Sequence, residues 1–327
     1  MLDDDSLYNK TAQNRFYIVA FPTNPKTQLI LFTGILIIYM IAMLGNLIIT
    51  MLITQAPKLH NPMYFLICNL SILDMSFISV TVPKLLVNTK TNMNVLSFNE
   101  CISQMYFFIA TANIESFILT SMSYDRYVAI CNPLLYPLIM NRVSCFFLAL
   151  ASWLLGFLNS LLLSLLTSNL LFCKSNIINN FFCDLKALLK LSCSDTTLIQ
   201  TIILVDNFII GFFPSSLTLA SYAYIISSVL KIHSTEGRYK AFSNCTSHLT
   251  TVFLYYGTAL CLYMVPNAEN SQTKDSTLSF IYVALIPMVN PLVYSLRNKD
   301  VLGALSKVTG WNKKCIVNQK TVIPKLS

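Results

Sequence analysis

Seven stretches of the chain, at residues 27–57, 59–83, 101–124, 143–173, 196–230, 241–268 and 276–296, carry almost no charge, and the charged residues gather between them. Each stretch reaches or exceeds the roughly 20 residues that a helix rising about 1.5 Å per residue needs to cross about 30 Å of hydrocarbon. The pattern predicts an all-α membrane protein, a bundle of seven transmembrane helices. Composition agrees: 55% of the 327 residues are hydrophobic and 11% charged, less than half the roughly 25% charged residues of a soluble globular chain.

An odd number of spans puts the two chain ends on opposite sides of the membrane, and the charge of the short loops orients them. With the N-terminus outside, the inner side holds thirteen basic residues against Asp125, Glu236 and Asp300, while the outer side holds nine basic against eight acidic. The inside is then the basic side. The net charge of +8 is a topology signal, because the basic residues lie along membrane edges and form no patch for nucleic acid. The expected organisation is an extracellular segment at 1–28, a membrane domain at 29–298 and a cytosolic tail at 299–327. Residues 1–26 open with Asp3-Asp4-Asp5 and hold no apolar core of a cleavable signal, so the first span is expected to target the chain. Asn9-Lys10-Thr11 is a glycosylation sequon on the outer segment.

Of ten cysteines, Cys101, Cys173, Cys183 and Cys193 fall on the oxidising outer side, where four thiols allow three pairings and spacing alone does not choose. Cys315, beyond Trp311, is a candidate lipid anchor.

Ionisable groups at membrane depth are functional candidates, with a hydrogen bond between helices as the standing alternative. Counting from the cytosolic ends, Asn46, Asp74 and Glu115 share one level about 15 to 18 Å deep, and Asn290 lies somewhat lower, beside Pro291. Pro291 removes a backbone donor, frees a carbonyl and invites a kink. Two acids in one buried cluster repel if both ionise, so either one is protonated or a cation, such as sodium at Asp74 and Glu115, sits between them.

The ordered motifs carry a resemblance. Gly45-Asn46 comes first, followed by LHNPMYFLICNLSILD from Leu59 to Asp74 and MSYDRYVAICNPLLYPLIMN from Met122 to Asn141. Then come FFCD at Phe181 to Asp184, LSCSDT at Leu191 to Thr196, Ser221-Tyr222, KAFSNCTSHL at Lys240 to Leu249, and PMVNPLVYSLRN at Pro287 to Asn298. The chain resembles the rhodopsin-like G-protein-coupled receptors and, within them, the odorant receptors. Departures are small: Ser123 stands where Ala is usual, Asn244 where Thr or Ser is usual, and Tyr255-Tyr256-Gly257 where Phe-Tyr-Gly is common.

The resemblance implies disulfides Cys101–Cys183 and Cys173–Cys193, a short cytosolic helix after the seventh span, and a plasma-membrane receptor in olfaction. It also implies a heterotrimeric G protein of the stimulatory olfactory type as partner, with cyclic AMP as the signal. The implied switch comprises Asp125, Arg126, Tyr127, Tyr222, Asn290, Pro291 and Tyr294. Asp125 holds Arg126 at rest, and on activation Arg126 turns toward Tyr222 and Tyr294 as the sixth span swings outward. An ion pair at the cytosolic edge exchanges partners at modest cost, which suits that role.

The ligand site is argued from geometry, because fold alone does not assign function. Phe108, Ile109, Ala112, Asn113 and Ser116 form one helical stripe about 10 to 22 Å below the outer end of the third span. Asp206, Asn207 and Ile210 lie at similar depth in the fifth span, with Tyr256, Ala259, Leu260 and Tyr263 in the sixth and Phe280 and Val283 in the seventh. Apolar walls with a few polar groups describe a site for a small, mostly hydrophobic ligand, with no cofactor, and the resemblance implies that this ligand is a volatile odorant. Asp206 either meets an amine or hydroxyl of that ligand or bonds a neighbouring helix through Tyr256 or Asn113.

Other classes fit less well. A transporter tends to show inverted repeats or broken helices in corresponding positions, and no such repeat is visible. An intramembrane enzyme needs a nucleophile and base or metal ligands at one depth, whereas His60, His233 and His248 all read as cytosolic or near it. A receptor of the same fold for a non-odorant small molecule is the runner-up.

Overall fold

The computed structural model describes residues 15–19, 25–91, 94–173, 175–263, 272–297 and 299–308, so Asn9 and Cys315 lie outside the described residues. The spans are helices at Pro25–Gln55, Pro62–Thr91, Phe98–Cys131 and Arg142–Ser168, a fifth running from Thr197 to Leu230, a sixth at Thr235–Tyr263 and a seventh from Gln272 to Arg297. A helix at Lys299–Val308 follows the seventh span.

Among the described residues, six of the seven are long and apolar enough to cross a membrane by length and composition. The sixth falls short because its cytosolic part begins with Glu236, Arg238 and Lys240 and continues through Ser243, Thr246, Ser247, His248, Thr250 and Thr251. Of these side chains, His248 and Thr251 are accommodated by packing and fully buried against other helices. The bundle inverts a soluble protein's surface: its interior holds polar groups among a mainly apolar core, and its outside is apolar. Asn46, Asp74, Glu115, Ser123, Asp125 and Asn290 are buried, while Leu154, Leu158, Leu165, Phe208 and Phe212 are exposed. That inversion is stable only with lipid as the outer solvent.

Prolines inside the spans leave carbonyls without a helical donor, and neighbouring helices supply one. The carbonyl that Pro291 orphans is that of Pro287, and Asn46 Nδ2 donates to it at 2.9 Å. Pro214 orphans the Ile210 carbonyl, and Ser116 Oγ donates to it at 2.9 Å. Ahead of Pro214 and Pro287 the helices widen into π segments at Asn207–Phe212 and Ile281–Leu285. Glycine permits two close approaches. A Cβ on Gly45 would come 2.9 Å from the Pro291 ring, and one on Gly156 would collide with Ile114.

The outer face adds what hydropathy did not predict, a three-stranded sheet. Strand β1, Arg15–Ile18, pairs antiparallel with β2, Val95–Ser97, and parallel with β3, Ile177–Ile178. Phe16 and Ile18 are fully buried there beside Cys101, Met105 and Phe172. Strands too short to register as hydrophobic runs are held by this packing and by two disulfides, Cys101–Cys183 and Cys173–Cys193.

Candidate ligand cavity and cytosolic switch

A cavity of about 690 Å³ opens between the third, fifth and sixth spans and the outer loop. The third-span stripe of Phe108, Ile109, Ala112, Asn113 and Ser116 lines it, as do Asp206, Asn207 and Ile210 of the fifth span and Tyr256 and Ala259 of the sixth. Three expected residues stand elsewhere, and the side chain of Tyr263 lies outside what the structure describes. Leu260 is 55% exposed on the outer face of its helix, past the face that Tyr256 and Ala259 present. Phe280 packs on Phe181 of the outer loop at 6.2 Å between ring centroids. Val283 is fully buried in the helix core, leaving Tyr282 of the seventh-span π segment to face the cavity.

Other walls were not expected. The short loop helix Leu185–Leu191 lies over the cavity with Leu185, Lys186, Leu189 and Lys190 among its lining residues. It is tied down where Cys183 meets Cys101 and where the Cys183 amide donates to Gln104 Oε1 at 2.9 Å. Asp184, at the N-cap of that helix, has its carboxyl pushed above the ordinary range by burial, against the opposing pull of Lys186 and the first amides of the helix. The fourth span contributes Asn159 and Leu163. Asn159 was legible as an amide in an otherwise apolar window, the kind of residue that marks a function at membrane depth.

Asp206 bonds Asn159, and neither Tyr256 nor Asn113 takes that place. Its Oδ2 nevertheless stays buried with no donor, and Asn113 Nδ2 is likewise buried with no acceptor. The cavity thus offers one unfilled acceptor and one unfilled donor within apolar and aromatic walls. Tyr256 is held at 3.2 Å by Ser116 Oγ, and Tyr255 donates to the Ala112 carbonyl at 2.7 Å.

Deeper in the bundle, Asn290 Nδ2 donates to both Asp74 oxygens at 3.1 and 3.0 Å. Glu115 is 4% exposed, and its Oε1 has no donor; nor do Asn46 Oδ1 and Asn290 Oδ1. Several bare oxygens around two carboxyls form a hard, anionic donor set that suits a small cation, so the residues fit sodium.

At the cytosolic edge Arg126 bonds Asp125 through Nε at 2.9 Å and through Nη2. Tyr136 of the inner loop donates to the other Asp125 oxygen at 2.9 Å. Burial and the Asp125 carboxylate hold the Tyr136 phenol well above its ordinary range, which keeps it a donor. Tyr127 packs on Tyr224 at 5.9 Å. Tyr222 and Tyr294 are not at Arg126. Tyr294 donates to Thr251 Oγ1 at 3.0 Å, and Tyr222 pairs with His248 Nδ1. His248 Nε2 faces the Leu119 carbonyl at 3.1 Å. A carbonyl only accepts, so Nε2 carries the proton and Nδ1 accepts from the Tyr222 hydroxyl. His248 therefore belongs inside the bundle; counting from the cytosolic end placed it too near the water, because helix six is polar well past the membrane edge.

Seven spans closed by an outer disulfide, with a cavity beneath the outer loop and an Asp-Arg pair at the inner edge, define a G-protein-coupled receptor. The sequence matches the olfactory receptor family over residues 35–310. It is 44% identical over 300 residues to Olfactory receptor 1E16 of Mus musculus, to Olfactory receptor 1E1 of Pan troglodytes and to Olfactory receptor 1J2 of Homo sapiens, covering 92% of this chain and 96% of each relative. The chain belongs to the olfactory receptor family: a multi-pass plasma-membrane receptor for odorants, coupled to a G protein and not an enzyme.

Proposed function

We propose that a small, mostly hydrophobic, volatile ligand binds in the outer cavity and that the signal leaves through a stimulatory, olfactory-type G protein that raises cyclic AMP. The observation carrying the reading is the convergence of ten residues from three spans on one space large enough for such a ligand. Asp206 and Asn113 orient the ligand's polar group, and the aromatic and aliphatic walls supply the affinity. In the resting arrangement Asp125 holds Arg126, while Tyr222 and Tyr294 are occupied by His248 and Thr251. Activation exchanges these partners as the sixth span moves, and a sodium ion at Asp74 and Glu115 favours the resting packing. Residues 1–28 form the outer segment in this reading, glycosylated at Asn9, and 299–327 the cytosolic tail.

Ligand-dependent nucleotide exchange on purified G protein added to the receptor in lipid tests the assignment. Exchange that rises with odorant and is blocked by bulky substitution at Ala112 supports it. Ligand responses unaltered by filling the cavity would place the binding site elsewhere.

A further inference from the structure

A second opening lies outside the bundle, between the third and fourth spans at their outer ends. It is a crevice of about 230 Å³ whose lining includes Ser103, Tyr106, Phe107, Leu161, Ser164 and Ser168. Its origin is local. The fourth span carries small residues every fourth position, Ser152, Gly156, Ser160 and Ser164, and at Gly156 it approaches the third span so closely that a Cβ would come 3.0 Å from the Ala110 carbonyl oxygen. One turn higher, Ser160 donates to the Tyr106 carbonyl. One turn higher again, Ser164 is 5% exposed and lines the crevice, yet its Oγ has no partner.

A buried hydroxyl left unpaired at membrane depth is a deficit that a ligand group removes. The surroundings narrow the ligand. The outer rim is apolar and lipid-facing, with Phe107, Leu161 and Leu165 between 44% and 55% exposed. No charged residue lines the crevice, so a phosphate or an ammonium finds no counter-charge. Ser164 lies four residues below Ser168, the last residue of its helix, about 6 Å inside the outer end. That is the level of the boundary between headgroups and hydrocarbon in the outer leaflet. We propose that the crevice is a sterol site, in which the sterol hydroxyl bonds Ser164 and the fused rings lie along Phe107, Leu161 and Leu165.

The test uses the full receptor reconstituted in phosphatidylcholine vesicles with a photoreactive cholesterol analogue, and peptide mapping of the adducts. Expected are adducts concentrated on the 102–107 and 161–168 segments, displaced by cholesterol, roughly threefold less effectively by its 3α-hydroxy epimer, and not by added phospholipid. Ser164→Ala keeps the space and removes the hydroxyl; labelling falls roughly threefold, the usual scale of one intramembrane hydrogen bond. Leu161→Trp fills the crevice from its exposed wall and abolishes labelling, and odorant-driven nucleotide exchange verifies that either variant is folded. Adducts spread evenly over all lipid-facing helices, equal competition by the epimer or phospholipid, or undiminished labelling of Ser164→Ala each overturn the proposal. Adducts replaced by receptor-to-receptor crosslinks at the same segments would assign the crevice to a second copy of the chain and overturn it too.

Discussion

Asp206 and Arg126 are both charged side chains in an apolar helix, yet the two positions ask for different chemistry. Arg126 stands at the cytosolic edge, paired with Asp125, whose other oxygen accepts from Tyr136. Asp125 is fully buried and the Arg126 side chain only 17% exposed, so replacing Arg126 with alanine leaves a buried carboxylate held by Tyr136 and costs some stability. Arg126→Ala is therefore expected to signal at background even when its surface amount is matched to that of the wild type; surface labelling and cyclic AMP measured on the same cells check this, and normal signalling would remove Arg126 from the switch. Asp206 lies in the cavity with one oxygen bonded to Asn159 and the other without a donor. A charge-assisted hydrogen bond to a ligand is worth about 1.5–3 kcal/mol, so Asp206→Asn should weaken amines and alcohols about tenfold or more relative to matched hydrocarbons. An unchanged potency order at equal surface expression would leave Asp206 with Asn159 as its sole concern.

At the level of elements, the outer loop is the part whose shape depends most on covalent closure. The Cys101–Cys183 bond spans 82 residues of sequence and seats the helix Leu185–Leu191 over the cavity. Closing so long a loop in the unfolded chain is worth about 4 kcal/mol or more in the chain-entropy account. Cys101→Ser or Cys183→Ser should remove most surface expression, while peptide mapping of the unreduced wild type should recover both bonds. A Cys101–Cys173 linkage in that map would contradict the arrangement. The fifth and seventh spans show a second device. Their π segments precede Pro214 and Pro287, and the residues they turn inward, Asn207, Ile210 and Tyr282, are cavity walls. Extra residues per turn reposition side chains without breaking the span, a use typical of π-bulges at functional sites.

For the molecule as a whole, the buried polar cluster lies between the outer cavity and the inner Asp-Arg pair. Asn46 ties the first span to the Pro287 carbonyl of the seventh, Asn290 ties the seventh to Asp74 on the second, and the Glu115 carboxyl of the third is buried with no donor on its Oε1. In the proposed reading sodium fills the oxygens that lack donors, and the ion favours the packing that offers them through its differential affinity. Raising sodium should lower agonist potency in the wild type, by membrane-based nucleotide exchange at constant ionic strength. Asp74→Asn should flatten that dependence. Equal sodium sensitivity in both would mean that the cluster is a structural network with a shared proton.

The linear pattern was sufficient for the spans, their order and the buried acids, since hydrocarbon imposes one demand on every residue in a span and local composition answers it. Cysteine positions on the outer side were legible too, but the pairing came with the ordered motifs, since four thiols satisfy three connectivities equally. Periodicity found the third-span stripe because one helix face repeats regularly. It failed for Leu260, Phe280 and Val283, whose facing depends on how the sixth and seventh spans are rotated and, in the seventh, on a π segment that shifts the phase. The partner of Asp206, the loop helix over the cavity, the three-stranded sheet and the buried place of His248 were decided by tertiary structure alone. Each joins residues far apart in sequence, and contacts of that kind follow from how helices settle against one another, which no local run of residues encodes.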